Sequence, residues 1–156
     1  MIKRRKTRVI KIGDVQIGGN NPIAIQSMAK IKTSRVEAAA RQINELAAAG
    51  CQIIRVAVKD MADARAITTL KKNIAIPVVA DIHFDWRLAV AAAEHGADKI
   101  RLNPGNIGKK EDIERVIAAG RKILIVPCGA MNAPSIVFVP LPGAIFISPF
   151  GTIKPV

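Results

Sequence analysis

Three segments of the sequence place polar side chains among aliphatic residues with a spacing of two. The first contains Arg55, the second Asp81 and His83, and the third Arg101 and Asn103. Because successive side chains of a β-strand point to opposite faces, each segment predicts one aliphatic face and one polar face. We expect the five polar residues to gather on one side of three strands, where they could bind an anion or move a proton.

Each residue type suits this chemistry. The guanidinium groups of Arg55 and Arg101 match phosphate oxygens, and Asn103 would add an amide beside them. His83 can move a proton near neutral pH, and Asp81 can accept a hydrogen bond from it or orient it. We therefore consider Asp81 and His83 candidate catalytic residues and the other three candidate substrate-binding residues. The alternative is a set of internal salt bridges, for example from Asp81 to either arginine.

The segment 99–108, KIRLNPGNIG, joins the third of these strands to a helix. Pro104 ends the strand, and Gly105 permits a turn with positive φ. Together with Arg101, the backbone N–H groups of this loop and of the helix start near Glu111 predict an anion site. The alternative is an ordinary strand-to-helix turn with an arginine on the surface.

A strand followed by a helix occurs four times along the chain. The predicted strands cover residues 22–27, 52–58, 76–83 and 99–103, and a fifth begins at 123. The first helix is expected to begin at Thr33 or Ser34, with Glu37 at capping-box spacing from Ser34, and the next two helices are expected to have caps at Asp60 and Asp85. This order predicts an α/β fold with a parallel sheet, and the absence of a G-x-G-x-x-G turn disfavours a dinucleotide-binding domain. We expect a partial TIM-type (β/α) barrel with its ligand site at the carboxyl ends of the strands.

The chain divides into three predicted parts. Residues 1–20 form a basic arm and a β-hairpin with its turn at Gly13-Asp14, a lid or plug ahead of the main fold. Residues 21–122 form the N-terminal half of the barrel, with about four βα units. Residues 123–156 lack acidic residues and regular periodicity, which predicts an irregular apolar tail of divergent sequence, and a frameshift near residue 120 would explain it.

Composition restricts the function classes. The 156-residue chain carries a formal net charge of +12, much of it between Lys3 and Lys11, but it has no Tyr and only 3% aromatic residues. We therefore expect small phosphorylated ligands rather than nucleic acid. No apolar run reaches the roughly 18 residues that a membrane span requires. Cys51 and Cys128 form neither a disulfide pattern nor a metal motif, so we expect no metal site and a cytoplasmic location.

Four segments together resemble a known family. They are PIAIQSM at 22–28, IRVAV at 54–58, VADIHF at 79–84 and KIRLNPGNIG at 99–108. In this order they resemble the N-terminal barrel of 4-hydroxy-3-methylbut-2-enyl diphosphate synthase, over about residues 7–118. The resemblance implies an iron-sulfur oxidoreductase of non-mevalonate isoprenoid biosynthesis, which converts 2-C-methyl-D-erythritol 2,4-cyclodiphosphate reductively to 4-hydroxy-3-methylbut-2-enyl diphosphate.

The resemblance also implies roles and partners. Arg55, Arg101 and Asn103 would bind the substrate diphosphate, and Asp81 and His83 would line the pocket near the ring. In this family a separate C-terminal domain holds a 4Fe-4S cluster on three cysteines and a glutamate, ferredoxin or flavodoxin supplies electrons, and the enzyme is a homodimer. With two cysteines, this chain lacks the cluster ligands. We therefore expect a truncated product without the cluster domain, inactive on its own.

Two other interpretations stay open. The chain could be a generic half-barrel that binds phosphate or polyanions through its basic arm, without catalysis. A pterin-binding or other phosphate-binding barrel is a further enzyme class, but it does not account for all four segments together.

Overall fold

The computed structural model describes residue 7 and residues 9–102, 110–119 and 124–127. Two short strands come first, and then strands and helices alternate. The elements are β1 Ile10–Ile12, β2 Val15–Ile17, β3 Gln26–Met28, α1 Val36–Ala48, β4 Ile53–Val58, α2 Met61–Lys72, β5 Val78–Ile82, α3 Trp86–Glu94, β6 Lys99–Leu102, α4 Lys110–Ala119 and β7 Leu124–Pro127. β1 and β2 form an antiparallel hairpin, and β3 to β7 form one parallel sheet in sequence order. The predicted α/β fold, a hairpin followed by a partial (β/α) barrel, is confirmed.

Helices cover one face of this sheet, which we call the outer face. Its side chains are almost completely buried and pack against Ile43 of α1, Ile67 of α2 and Leu88 of α3. The outer-face residues of β4, β5 and β6 are Ile54, Val56, Val58, Val78, Ala80, Ile82, Ile100 and Leu102. The aliphatic positions predicted from alternation therefore form the main core. At roughly 1.5–3 kcal/mol for each fully buried aliphatic side chain, this face is a major source of stability.

The hairpin covers the amino end of the opposite side of the sheet, which we call the inner face. Ile12 is completely buried there against Ile53 and Val79, near the starts of β4 and β5. Gly13 turns the hairpin with a φ of 54°, and a Cβ on it would lie 2.9 Å from Cβ of Pro77. The hairpin therefore packs as a plug at one end of the inner face, and the carboxyl end holds the polar residues.

The first barrel strand is shorter than predicted. We expected residues 22–27, whereas β3 begins at Gln26. The carbonyl of Ile25 accepts hydrogen bonds from the backbone N–H groups of both Gln52 and Ile53, at 2.9 and 3.2 Å. The N–H of Ile25 donates to the side chain of Gln52 at 3.0 Å. These bonds replace a regular ladder, and Ile23 lies exposed before them.

The capping residues were predicted correctly for two helices and wrongly for the first. Asp60 accepts from the N–H of Asp63, and Asp85 accepts from the N–H of Arg87, both at 2.9 Å. In contrast, α1 has Arg35 at its N-cap position, with no side-chain cap. The predicted capping box does not form because the backbone N–H of Ser34 donates to the carboxylate of Asp63 instead, at 2.9 Å.

Asp63 connects the two loops that follow β3 and β4. Its side chain is buried, and its second oxygen accepts from the N–H of Lys59 at 3.2 Å. Next to it, buried Thr33 donates its hydroxyl to the carbonyl of Ala57 at 2.6 Å. Lys32 and Asp60 form an exposed ion pair at 2.8 Å between the same loops. The carboxyl end of the sheet is therefore held together by long-range polar contacts.

The described helices are all too short or too polar to cross a lipid bilayer.

We expect Asp63→Ala to lower the free energy of unfolding by about 1–3 kcal/mol, because the N–H groups of Ser34 and Lys59 lose a carboxylate acceptor. Asp63→Asn keeps one acceptor oxygen, so its loss should be smaller. Urea unfolding of the chain measures both, with the exposed Glu45→Ala of α1 as the control. A loss for Asp63→Ala no larger than that of the control would contradict the role of Asp63.

Candidate functional site

Asp81 is the centre of the polar cluster on the inner face. Its side chain is only 3% exposed, and each of its oxygens faces an arginine. Arg101 Nη1 lies 2.5 Å from Oδ1, and Arg55 Nε lies 3.4 Å from Oδ2. The register explains this convergence, because Arg101 pairs with Asp81 on β6 and Arg55 pairs with Val79 on the other side of β5. The structure thus brings together three of the five predicted site residues.

The two salt bridges considered as the alternative to a binding site, from Asp81 to each arginine, are both formed. One carboxylate faces two guanidinium groups, so the Arg55–Asp81–Arg101 cluster carries one excess positive charge. The arginine side chains remain 29% and 27% exposed, whereas the carboxylate is buried. A partly desolvated positive charge attracts anions more strongly than one in open water. The cluster is therefore able to receive an anion on its exposed side.

Arg55 has weak hydrogen-bond partners. Its Nε is buried and makes no hydrogen bond with any residue that the structure describes, although Asp81 lies close enough for an ion pair. Its Nη2 donates to the Sδ of Met28 at 3.1 Å. A thioether is a weak acceptor compared with a carboxylate or phosphate oxygen. The hydrogen-bonding capacity of Arg55 is therefore only partly used.

His83 follows β5 at the carboxyl edge of the cluster and is half-exposed. Its Nε2 lies 3.9 Å from Asp81 Oδ2, too far for the hydrogen bond that we expected between them. The two arginines take the oxygens of Asp81 instead. The ring of His83 lies beside Phe84, with centroids 6.1 Å apart. His83 is therefore open to a ligand above the cluster rather than held by the aspartate.

The fifth candidate, Asn103, lies outside the described residues, and so does the loop at 104–108. The anion site expected from this loop and the role of Asn103 stay predictions. Met28 was missed as a contact of the site. Its place at the end of the PIAIQSM segment was the available signal, but only the pairing of β3 with β4 puts it beside Arg55.

A groove of about 830 Å³ lies next to the cluster, between the loops that follow β4 and β5. His83 lines it, with Asp60 and Asp85. A hydrogen bond from Lys32 holds the pKa of Asp60 below its ordinary value. The pKa of Asp85 is lowered by hydrogen bonds from Arg87, against an opposing effect of burial. Both carboxylates are thus paired with cations, and the side chains of Lys59 and Arg87 also line the groove.

The other histidine and the described cysteine lie away from the cluster. His95 caps the end of α3, with Nδ1 2.9 Å from the Thr68 hydroxyl. Cys51 is buried with its Sγ 3.1 Å from the carbonyl of Ile53, which agrees with a packing role. Cys128 lies outside the described residues.

Within the described part of the chain, no group of three or more His, Cys, Asp or Glu could hold a metal ion. The 4Fe-4S cluster implied by the resemblance requires three cysteines, and the chain has two. The residues present therefore do not fit the cluster. We assign this chain no step that passes through it.

A parallel sheet with helices on its outer face and charged side chains on its inner face is typical of a (β/α)-barrel protein. The GcpE TIM-barrel domain matches residues 7–132. The chain therefore belongs to the GcpE TIM-barrel domain family. This match continues through β7 and beyond residue 122, where we placed the end of the half-barrel.

Two similar curated proteins carry the same name. The chain is 56% identical over 119 residues to 4-hydroxy-3-methylbut-2-en-1-yl diphosphate synthase (flavodoxin) of Bacillus velezensis, which is 76% of this chain and 32% of that protein. It is 57% identical over 123 residues to the protein of the same name from Caldanaerobacter subterraneus subsp. tengcongensis, 78% of this chain and 35% of that protein. The chain thus spans about a third of the length of these relatives.

Solved structures share the fold at low sequence identity. A dihydropteroate synthase from Yersinia pestis superimposes with a TM-score of 0.58 at 11% identity, over 76% of this chain and 46% of that one. The enzyme from Stenotrophomonas maltophilia gives 0.56 at 18% identity, over 71% of this chain and 44% of that one. At such identities the likeness extends to the fold alone, so the pterin-binding alternative gains no support from it.

We expect Asp81→Asn to destabilise the chain by about 3 kcal/mol, because the buried group between Arg55 and Arg101 would lose the negative charge that both guanidinium groups face. Breaking a buried ion pair costs about 3–5 kcal/mol, and the partial exposure of both arginines favours the lower end. Urea unfolding measures the loss. Asp85→Asn is the matched control, since asparagine also caps a helix and the Arg87 side chain is 67% exposed. Equal losses in both variants would contradict the central role of Asp81.

The Lys32–Asp60 pair predicts a pH-dependent contribution to stability. The folded pKa of Asp60 lies below its ordinary value of 3.8 because the Lys32 ammonium donates a hydrogen bond to its carboxylate, so the pair stabilises the fold above that pH. This contribution is lost as the pH falls through the lowered pKa. We expect Lys32→Gln to be less stable than the wild type at neutral pH, and this gap should shrink in acid.

Urea unfolding at a series of pH values measures that gap. Lys30→Gln, an exposed lysine of the same loop, is the control and should show no such pH dependence. A gap for Lys32→Gln that stays constant into acid would contradict the ion pair.

Proposed function

We propose that this chain forms part of the substrate pocket of a 4-hydroxy-3-methylbut-2-enyl diphosphate synthase and binds the diphosphate of 2-C-methyl-D-erythritol 2,4-cyclodiphosphate. One observation carries the proposal: on the inner face of the sheet, Arg55 from the middle of β4 and Arg101 of β6 converge on Asp81 in the carboxyl half of β5, two positive charges around one negative charge. A cyclic diphosphate has the opposite charge and oxygen atoms that suit guanidinium groups. The name shared by the curated relatives supports the same substrate.

The geometry suggests a division of roles. Arg55 and Arg101 would bind phosphate oxygens, with Asn103 beside them as predicted from the sequence. Asp81 would hold both guanidinium groups in place, because its two oxygens already face them. His83 is half-exposed at the edge of the cluster, where it could reach the ring of the substrate and transfer a proton. Asp81 and His83 therefore stay our candidates for the catalytic residues.

The rest of the reaction needs components that this chain does not supply. Reductive ring opening with loss of water takes up two electrons, which the 4Fe-4S cluster delivers in this family. That cluster is bound by three cysteine ligands, and the chain has only two cysteines. We infer that the 156-residue chain binds substrate without turnover. Flavodoxin, which the relatives' names include, is our proposed electron donor for the intact enzyme. The homodimeric state and the cytoplasmic location of the intact enzyme also stay proposals.

Calorimetric titration with the cyclodiphosphate tests this function. Losing a hydrogen bond to a charged group costs about 1.5–3 kcal/mol, so Arg55→Ala and Arg101→Ala should each weaken binding by about tenfold or more. Arg101→Lys keeps the charge without the planar fork and should fall between wild type and Arg101→Ala. Arg41→Ala, on the exposed side of α1, is the control. 2-C-methyl-D-erythritol, which lacks phosphate, should not bind.

A generic polyanion-binding half-barrel gives a different result. The net charge of +12 supports this second candidate. Binding would then be strongly salt-dependent, unaffected by Arg101→Ala and lost on removal of the arm between Lys3 and Lys11. That outcome would overturn the proposed function. Circular dichroism of each variant shows whether a loss of binding reflects unfolding.

A further inference from the structure

Met28 occupies a specific place beside the arginine cluster. It is the last residue of β3, and it pairs in register with Arg55 of β4. Paired residues on neighbouring strands point to the same face, so both lie on the inner face. The backbone is fixed at this point, because the N–H of Ala29 donates to the carbonyl of Arg55 at 2.9 Å. The position of Met28 relative to Arg55 is therefore set by the sheet itself.

The guanidinium of Arg55 lies between two partners of different strength. On one side its Nε faces the Asp81 carboxylate at 3.4 Å. On the other side its Nη2 donates to Met28 Sδ at 3.1 Å. The sulfur carries no charge and accepts hydrogen bonds weakly. It can therefore orient the guanidinium of Arg55 without neutralising its positive charge.

We propose that Met28 is a positioning residue for ligand binding, one that orients Arg55 towards the inner face while leaving its N–H groups available to a phosphate oxygen. This inference rests on the proposed function, since it specifies how one arginine of that pocket is held. A carboxylate or amide oxygen at position 28 would orient Arg55 equally well. Such an oxygen would also compete with the ligand for the same donors.

Two substitutions separate orientation from competition. Met28→Leu removes the acceptor and keeps an apolar side chain of similar volume, so binding of the cyclodiphosphate should weaken only about two- to fivefold. Met28→Gln adds an amide oxygen within reach of Nη2 and should weaken binding by about tenfold or more. Calorimetric titration measures both. Ile25→Gln, an exposed position just before the same strand, is the matched control and should bind like the wild type.

A double-mutant cycle tests whether the effect passes through Arg55. In an Arg55→Ala background, Met28→Gln should cause no further loss of affinity, because the competing donor is gone. Urea unfolding of each variant separates this effect from a change in stability. An equal further loss in that background would overturn the inference, since Met28 would then act through the fold or another residue.

The outcomes distinguish this inference from the function on which it rests. If the wild-type chain binds the cyclodiphosphate and Met28→Gln binds it equally well, the role of Met28 is overturned and the proposed function stands. If the folded wild-type chain does not bind, the proposed function is overturned and the role of Met28 falls with it.

Discussion

The buried carboxylate of Asp81 imposes a requirement on the whole inner face. A charge removed from water costs several kcal/mol unless it is paired, and here two arginines from the neighbouring strands supply the pairing. Those partners can reach it only because β4, β5 and β6 are adjacent, parallel and in a fixed register. The same contacts leave an excess of positive charge at the carboxyl end of the sheet. The pairing of one buried group and the proposed binding of an anion thus depend on a single arrangement.

The two ends of the inner face are stabilised by different interactions. At the amino end the hairpin buries Ile12 against Ile53 and Val79, which excludes water by apolar packing. At the carboxyl end polar groups replace that packing, and Asp63 connects the loops after β3 and β4. This division agrees with the general behaviour of (β/α) barrels, in which one end serves stability and the other binds ligands. A ligand at the cluster would therefore meet a preformed surface.

The charged groups of the arginine cluster are paired differently from those of the adjoining groove. In the groove, Asp60 and Asp85 each have a cation of their own, at 2.8 and 2.9 Å. In the cluster, one carboxylate serves two arginines, and part of the remaining hydrogen-bonding capacity of Arg55 is directed at a sulfur atom. The cluster and the groove therefore differ in which residues share a partner. A count of charges along the sequence does not reveal this difference.

The sequence alone determined the features that follow from local pattern. Alternation in the strands predicted the face shared by Arg55, Asp81 and Arg101, and the chemistry of short polar side chains predicted the caps at Asp60 and Asp85. The order of strands and helices predicted the (β/α) fold, and four short segments identified the family. These signals lie within a few residues of one another, so they can be read without knowledge of the rest of the chain.

Only the tertiary structure decided the features that depend on distant partners. Ser34 does not cap α1 as predicted because the start of that helix is bonded to Asp63, and β3 begins late because Ile25 bonds to Gln52 and Ile53. The contact between Met28 and Arg55 arises from the register of β3 and β4. His83 Nε2 lies 3.9 Å from Asp81 Oδ2 because the two arginines already pair with the carboxylate oxygens. Local preferences are worth about 1 kcal/mol or less per residue, so a buried long-range hydrogen bond or ion pair can override them.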